Sequence, residues 1–438
     1  MKNLKINPAE KISGTIKIPA DKSISHRAAM LASVASGTSV IENFLLSADC
    51  KSTLSSVAAF GAKVKKNDAR ITITGSPFAS PKKNVDCGNS GTTVRLLSGL
   101  AAGQGVHAIF TGDNSLSKRP MKRVTEPLKL MGAKIQGKNG RLPLHLRAAK
   151  LRGINYTMPV PSAQVKSALL LGALGAKGEI KIIEKIISRD HTERMLPLFG
   201  VKLTSHGGKI KMECGQKLKA CKIKVPGDIS SAAFFICAAV LLKSSVKMKD
   251  VGINPTRTGF LRALEKMGVK YNLSKKRFFG REPVSDITIM KSSLRGAVFT
   301  KKDIPSMIDE VPLLALCATQ ATGKTVIMGA EELAVKECDR LEATYSQLLK
   351  MGADIKKRPD GFIIRGPVKL KGTSLSGFGD HRIIMMLTLA ALGAAGVSVI
   401  DNTKGVEISF PDFFKELEKH IVVKAKIPSR GAPSLIKK

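Results

Sequence analysis

The sequence predicts an α/β protein built from six repeated α/β units, and three observations predict it. An apolar residue, Gly, Ala or Val, Lys or Asp, and a second apolar residue recur at Phe60-Gly61-Ala62-Lys63-Val64, Met131-Gly132-Ala133-Lys134-Ile135, Phe199-Gly200-Val201-Lys202-Leu203, Met267-Gly268-Val269-Lys270-Tyr271 and Met351-Gly352-Ala353-Asp354-Ile355. A small residue followed four positions later by Ile or Met recurs at Gly37/Ile41, Gly105/Ile109, Gly178/Ile182, Ser244/Met248, Gly323/Ile327 and Gly396/Ile400. Fourteen residues before each of those small residues stands a polar cluster, around Ser23, Gly91, Gln164, Ser230, Asp309 and Arg382. Self-similarity at about 70 residues marks a repeated supersecondary unit, and six copies account for the whole chain.

Each copy reads helix, strand, helix, hairpin. The polar cluster opens the first helix: Asp21-Lys22-Ser23-Ile24-Ser25-His26-Arg27 leads into the apolar Ala28-Ala29-Met30-Leu31-Ala32, with Ser23 or Ser25 as the expected cap. Fourteen helical residues span about 21 Å, enough to run through a domain core. The small residue ends that helix and the Ile or Met lies on the next strand. A second helix, for example 258–266, then stops at the glycine of the first signature, which reads as its C-terminal cap. A strand, a lysine-bearing turn and another strand follow, 62–65 and 70–74 in the first copy. Gly323-Lys324-Thr325 imitates the end of a phosphate-binding loop, but position 318 is Ala where that loop needs Gly, and the tripeptide falls on a helix-to-strand junction. It is structural.

If equivalent units pack equivalently, the six polar helix starts converge and sum their dipoles. Such a place, with Lys22 and Arg27 beside it, suits a phosphate or carboxylate. The composition agrees with a small anionic ligand. The chain has 72 basic and 34 acidic residues, a net charge of +38, yet only 4% aromatic residues and no Trp. Stacking platforms for single-stranded nucleic acid are therefore scarce. The lysines recur at short turns (Lys65-Lys66, Lys275-Lys276-Arg277, Lys356-Lys357-Arg358) as solvated surface, so nucleic acid is not the expected partner. Seven scattered cysteines without paired spacing exclude a zinc or disulfide framework and suit a reducing cytoplasm. No run is long enough for a membrane span, and Met1-Lys2-Asn3-Leu4-Lys5 opens no secretory leader.

Eight stretches, end to end, resemble the 5-enolpyruvylshikimate-3-phosphate synthase family of enolpyruvyl transferases: 21–27, Gly88-Asn89-Ser90-Gly91-Thr92-Thr93-Val94-Arg95-Leu96, Lys118-Arg119-Pro120-Met121, Pro161-Ser162-Ala163-Gln164-Val165-Lys166-Ser167, Ser188-Arg189-Asp190-His191-Thr192-Glu193, Ile308-Asp309-Glu310-Val311-Pro312, Val335-Lys336-Glu337-Cys338-Asp339-Arg340-Leu341 and Gly379-Asp380-His381-Arg382. Each is weak alone; all eight in family order are specific. The resemblance implies a two-domain fold, three units per domain around inward helices, closing over the substrates. It implies one domain at 21–226 and a discontinuous one at 1–20 with 227–438.

The implied reaction moves the enolpyruvyl group of phosphoenolpyruvate to the 5-hydroxyl of shikimate 3-phosphate and releases phosphate, without cofactor or metal, in a monomer. By resemblance Lys22, Gly91, Arg119, Gln164, Arg340 and Arg382 hold phosphoenolpyruvate. Lys22, Ser23, Arg27, Ser162, Ala163, Gln164, Arg189, Asp309 and Lys336 hold shikimate 3-phosphate. Asp309 is the implied base, Glu337 the implied acid, and Lys22 assists. Glu337 lies between Lys336 and Arg340, which favour its ionised form, so an acid role needs burial or a nearby carboxylate. Gly91 leaves space around phosphoenolpyruvate, from which sensitivity to glyphosate is expected. His26 is expected as a helix-start polar contact, and His381 as an orienter of Asp380 and Arg382.

Two departures limit the transfer. Glu407-Ile408-Ser409 precedes Phe410-Pro411-Asp412 where some members carry a lysine, and Glu332 stands where others have an amide, so neither site is carried over. A sister transferase acting on UDP-N-acetylglucosamine is the near alternative; it opens with Lys-Asn where Lys22-Ser23 stands, and usually has a cysteine in the loop here read Asp113-Asn114-Ser115. An RNA-binding protein is the alternative of a different class. It would explain the charge and leave Asp309, Glu337 and the Asp380-His381-Arg382 triplet unexplained.

Overall fold

The computed structural model describes residues 3–423 and 436–437. The chain divides into two compact units. The first takes in the residues up to Pro19, then Gly227–Arg277 and the chain from Pro283 on; the second is Ala20–Pro226 with Phe278–Glu282. Each has its own apolar core, and each core is threaded by three inner helices. Those of the second unit are Lys22–Val34, Gly91–Gly103 and Ala163–Ala173. Those of the first are Ile229–Leu241, Val311–Ala318 and His381–Leu392, here called the fourth to sixth.

The inner helices are apolar nearly all round, as a helix buried on every side requires. In the fourth, every residue from Ile229 to Val240 is buried. The second and third lie backbone against backbone. A methyl group added at Gly99 would strike the Ala168 carbonyl, and one at Gly175 would strike the Gly103 carbonyl.

Among the described residues six four-stranded sheets surround the helices. In four of them the strand before an inner helix pairs in parallel with the strand after it, as Asn155–Met158 does with Glu179–Glu184. At the two chain crossings the partners are exchanged. Thr15–Ile16, ahead of the first inner helix, pairs with Val246–Gly252 of the first unit, and Lys222–Lys224, ahead of the fourth, pairs with Thr38–Glu42 of the second.

Both repeat signatures have a backbone cause. Gly61, Gly132, Gly200, Gly268 and Gly352 all end helices at positive φ, the left-handed conformation that favours glycine. In the second signature Ser244 is the exception. The left-handed residue there is its neighbour Lys243, at φ 46°.

Three expectations need correction. The first inner helix is capped by Asp21, whose carboxylate accepts from the Ile24 N–H, not by Ser23 or Ser25. The fifth polar cluster does not cap an α-helix directly: Asp309 sits in a 3₁₀ turn, Ile308–Glu310, that runs into Val311–Ala318. Among the described residues the sixth copy shows no hairpin of its own. Its sheet is completed by Leu4–Ile6, antiparallel to Ser398–Ile400, and by Ile436–Lys437.

Candidate active site

In the second unit, side chains tie the three inner-helix starts into one cluster. On the first helix, Lys22 donates to Asp49 Oδ2 at 3.0 Å. Arg27 is buried, and its guanidinium reaches the Ser23 carbonyl at 3.0 Å, Thr192 Oγ1 at 2.7 Å and Ser167 Oγ at 2.8 Å. It thereby joins the first helix to the third and to the segment carrying Arg189. The third helix is capped by Ser162 and begins at Ala163.

Gly91 opens the second helix, which Ser90 caps. A Cβ on Gly91 would lie 3.0 Å from Arg95 Nη1 and 3.4 Å from Arg119 Nη1, so the missing side chain is what lets the two guanidinium groups approach. Arg119 donates to Asn89 Oδ1 at 2.7 Å and to Ser115 Oγ at 3.3 Å. Arg95 donates to Gln164 Oε1 at 2.8 Å and to the Pro120 carbonyl at 3.1 Å, while Gln164 Nε2 reaches Thr92 Oγ1 at 3.2 Å. The first and second helices are joined by a chain of short bonds, His26 Nδ1 to Thr53 Oγ1 and Thr53 Oγ1 to Thr93 Oγ1, each 2.6 Å. His26, the fifth residue of the helix, is wholly buried. Burial first, and then the charges of Lys22 and Arg27, hold its pKa well below the usual imidazole value.

In the first unit the cluster is organised by Arg340. This buried guanidinium donates to Asp380 Oδ2 at 2.8 Å, to Glu337 Oε2 at 2.6 Å and to Asp309 Oδ1 at 3.3 Å. Lys336 Nζ lies 3.7 Å from Asp309 and 3.9 Å from Glu332. Arg382 Nη1 faces the Asp309 carbonyl at 3.4 Å and Glu310 Oε1 at 3.5 Å. Burial alone would lower the pKa of Arg340, but Asp380, Glu337 and Asp309 more than offset it and raise it. Asp380 shows the converse: burial works to raise its pKa, and Arg340 outweighs that and holds it below the usual carboxylate range. Asp380 also caps the sixth helix, accepting from the Arg382 N–H at 2.8 Å. His381 Nδ1 is 3.9 Å from Asp380 Oδ1, too far for a hydrogen bond.

Lys22, Ser23, Arg27, Gly91, Arg119, Ser162, Ala163, Gln164 and Arg189 thus fall in the second unit, and Asp309, Lys336, Glu337, Arg340 and Arg382 in the first. Among the groups packed with them, sequence reasoning gave no role to Arg95, Asp49, Glu310 or Asp380. Arg95 carried a readable signal: four residues after Gly91, it must share that face of the helix. The fourth helix start is occupied by the chain itself. Buried Arg257 donates to Asp228 Oδ1 at 3.1 Å and Ser230 Oγ at 2.7 Å. Among the described residues no group of three or more His, Cys, Asp or Glu could hold a metal ion. No helix among them is long and apolar enough to cross a membrane.

Residues 6–417 match the family described as EPSP synthase (3-phosphoshikimate 1-carboxyvinyltransferase). The chain is 47% identical over 426 residues to proteins of that name from Bacillus cereus and Bacillus thuringiensis, covering 96% of this chain and 99% of theirs. It is also similar to a solved EPSP synthase from Acinetobacter baumannii, with a TM-score of 0.86 and 39% identity over 97% of this chain and 99% of that one.

Proposed function

The chain belongs to the EPSP synthase (3-phosphoshikimate 1-carboxyvinyltransferase) family, and from that premise we propose how its own side chains carry the reaction. The protein is an enzyme of the shikimate pathway that transfers the enolpyruvyl group of phosphoenolpyruvate to shikimate 3-phosphate. Both substrates are polyanions, so the first requirement is positive charge placed in advance. Lys22, Arg119, Arg340 and Arg382, with Gly91 and Gln164 beside them, take phosphoenolpyruvate. Lys22, Ser23, Arg27, Ser162, Ala163, Gln164, Arg189, Asp309 and Lys336 take shikimate 3-phosphate.

One observation carries the chemical assignment: a single buried guanidinium, Arg340, is bonded to both Asp309 and Glu337. Asp309 takes the proton of the 5-hydroxyl as its oxygen bonds to C2 of phosphoenolpyruvate. Glu337 gives a proton to the methylene carbon, C3. The bond from C2 to the phosphate oxygen then breaks, C3 returns its proton to Glu337, and phosphate leaves with the proton held on Asp309, helped by Lys22. Glu337 must therefore arrive protonated although Arg340 favours its anion. The carboxylate of phosphoenolpyruvate supplies the correction. Landing on Arg340 and Arg382, it adds negative charge beside Glu337 and raises that group's affinity for a proton.

Because one chain bears both sets of groups, a monomer is the working unit of this reading. Seven free cysteines, scattered without paired spacing, support a reducing, cytoplasmic location. The test is phosphate release from phosphoenolpyruvate with and without shikimate 3-phosphate. Release needing both, abolished by Lys22→Ala and sharply reduced by Asp309→Ala, is expected. Release with UDP-N-acetylglucosamine instead would move the activity to the sister enzyme.

A further inference from the structure

We propose that Lys166 is a positioning residue for shikimate 3-phosphate, fixing the segment that carries Arg189 against the helix start that carries Ser162, Ala163 and Gln164. The inference rests on the assignment of those residues made above. Lys166 lies on the third inner helix with no exposed surface, so it cannot touch a substrate itself. An ammonium has three donors, and here three acceptors meet them. They are Glu184 Oε2 at 2.7 Å, Glu193 Oε1 at 2.7 Å and the Ser188 carbonyl at 3.3 Å.

The residue next to Arg189 is held completely by this group. Glu184 Oε1 accepts both the Ser188 N–H, at 3.3 Å, and the Ser188 hydroxyl, while Lys166 takes its carbonyl. Every polar group of Ser188 is thus engaged by one buried ion pair. The far end of the segment is pinned as well: Thr192 Oγ1 meets Ser167 Oγ at 2.6 Å and Arg27 Nε at 2.7 Å.

A connecting segment is ordinarily the mobile part of a fold, and this one bears a substrate-binding arginine. A methionine would fill the same space without the cost of burying an ammonium. What the ammonium adds is direction: charge-assisted bonds that set the backbone on the N-terminal side of Arg189. Burial works to lower the Lys166 pKa, and Glu193 and Glu184 outweigh it and raise it, so the lysine stays charged.

The test is steady-state kinetics on the whole enzyme, with Lys166→Met, Arg189→Met, the double variant and Ser188→Ala. A misplacement on the ångström scale costs up to about 100-fold. Lys166→Met should accordingly raise the KM for shikimate 3-phosphate about tenfold or more, while the KM for phosphoenolpyruvate stays within about twofold. Adding Lys166→Met to Arg189→Met should change little further, because the effect acts through Arg189. A folded Lys166→Met enzyme with an unchanged KM for shikimate 3-phosphate, equal rises for both substrates, or additive effects in the double variant would overturn the proposal. If Lys166→Met does not fold, Ser188→Ala decides by the same selective rise in KM or its absence. Should Arg189→Met leave the KM for shikimate 3-phosphate untouched, the site assignment falls and takes the proposal with it. A silent wild type would count against the reaction itself.

Discussion

The two units hold the site arginines in different ways, although in the second the lysines Lys22 and Lys166 do meet carboxylates. In the second, hydroxyl, amide and carbonyl oxygens hold Arg27, Arg95 and Arg119. In the first, carboxylates do the holding: Asp380, Glu337 and Asp309 around Arg340, Asp309 and Glu332 beside Lys336, Glu310 beside Arg382. A guanidinium oriented by neutral acceptors keeps its charge for an incoming anion. One surrounded by carboxylates has that charge largely cancelled, and gains a nearby set of groups that can move protons. The first unit therefore adds proton-transfer groups to the cations it offers the substrates, and the second offers binding groups alone, on the same repeated framework.

The sharpest way to break this contrast is to neutralise one carboxylate of the first unit without changing its shape. Asp309→Asn and Glu337→Gln each remove a proton-transfer group, which is worth about 100-fold or more in rate. The loss should fall on kcat, with both KM values within about threefold. A KM-dominated loss at Asp309 would leave it a binding group only, with no part in proton transfer, and dissolve the distinction. Chemical rescue of Asp309→Asn by added small carboxylates, read as recovered phosphate release, would sharpen it.

A smaller, opposite effect is expected in the second unit. In Gly91→Ala the new Cβ stands 3.0 Å from Arg95 Nη1 and 3.4 Å from Arg119 Nη1, tighter than ordinary contact, so the guanidinium groups must shift by a few tenths of an ångström. Displacing a preformed anion site by that amount should raise the KM for phosphoenolpyruvate about tenfold and lower kcat by less. An alanine variant with a reduced kcat and an unchanged KM would place Gly91 in the chemistry instead.

How much of this was legible depends on the range of the forces involved. The six-fold repeat could be read because its anchors obey the local backbone: a residue that must take positive φ after a helix has to be Gly, or must pass the conformation to a neighbour as Ser244 does to Lys243. The cap of the first helix was misread because Asp21, Ser23 and Ser25 are all competent acceptors and only the chain dihedrals choose among them. The exchanged strands were invisible. Thr15–Ile16 and Lys222–Lys224 are too short to show a period. The implied site residues came from motifs, and so did partners such as Asp380 and Thr192, but which residue pairs with which did not. Arg340 meets Asp380 across forty positions, and Lys166 meets Glu184 across eighteen; pairs so far apart in sequence leave no local pattern.

Acid should separate the units by the smallest of these margins. His26 is buried beside Lys22 and Arg27, with its pKa well below the usual 6.5, whereas unfolded chain protonates it near that value. Stability contributed by the neutral imidazole is therefore complete above about pH 6.5 and declines as pH falls toward the depressed value. In the first unit Asp380, also with a lowered pKa, keeps its contribution until pH falls below its usual 3.8. Hydrogen exchange corrected for its intrinsic pH dependence should show the inner helices of the second unit losing protection first. His26→Gln should remove that early loss, since an amide can still bond Thr53 and takes up no proton. Equal loss in both units, or an undiminished slope in the variant, would mean that the buried cations of the second unit do not govern its response to acid.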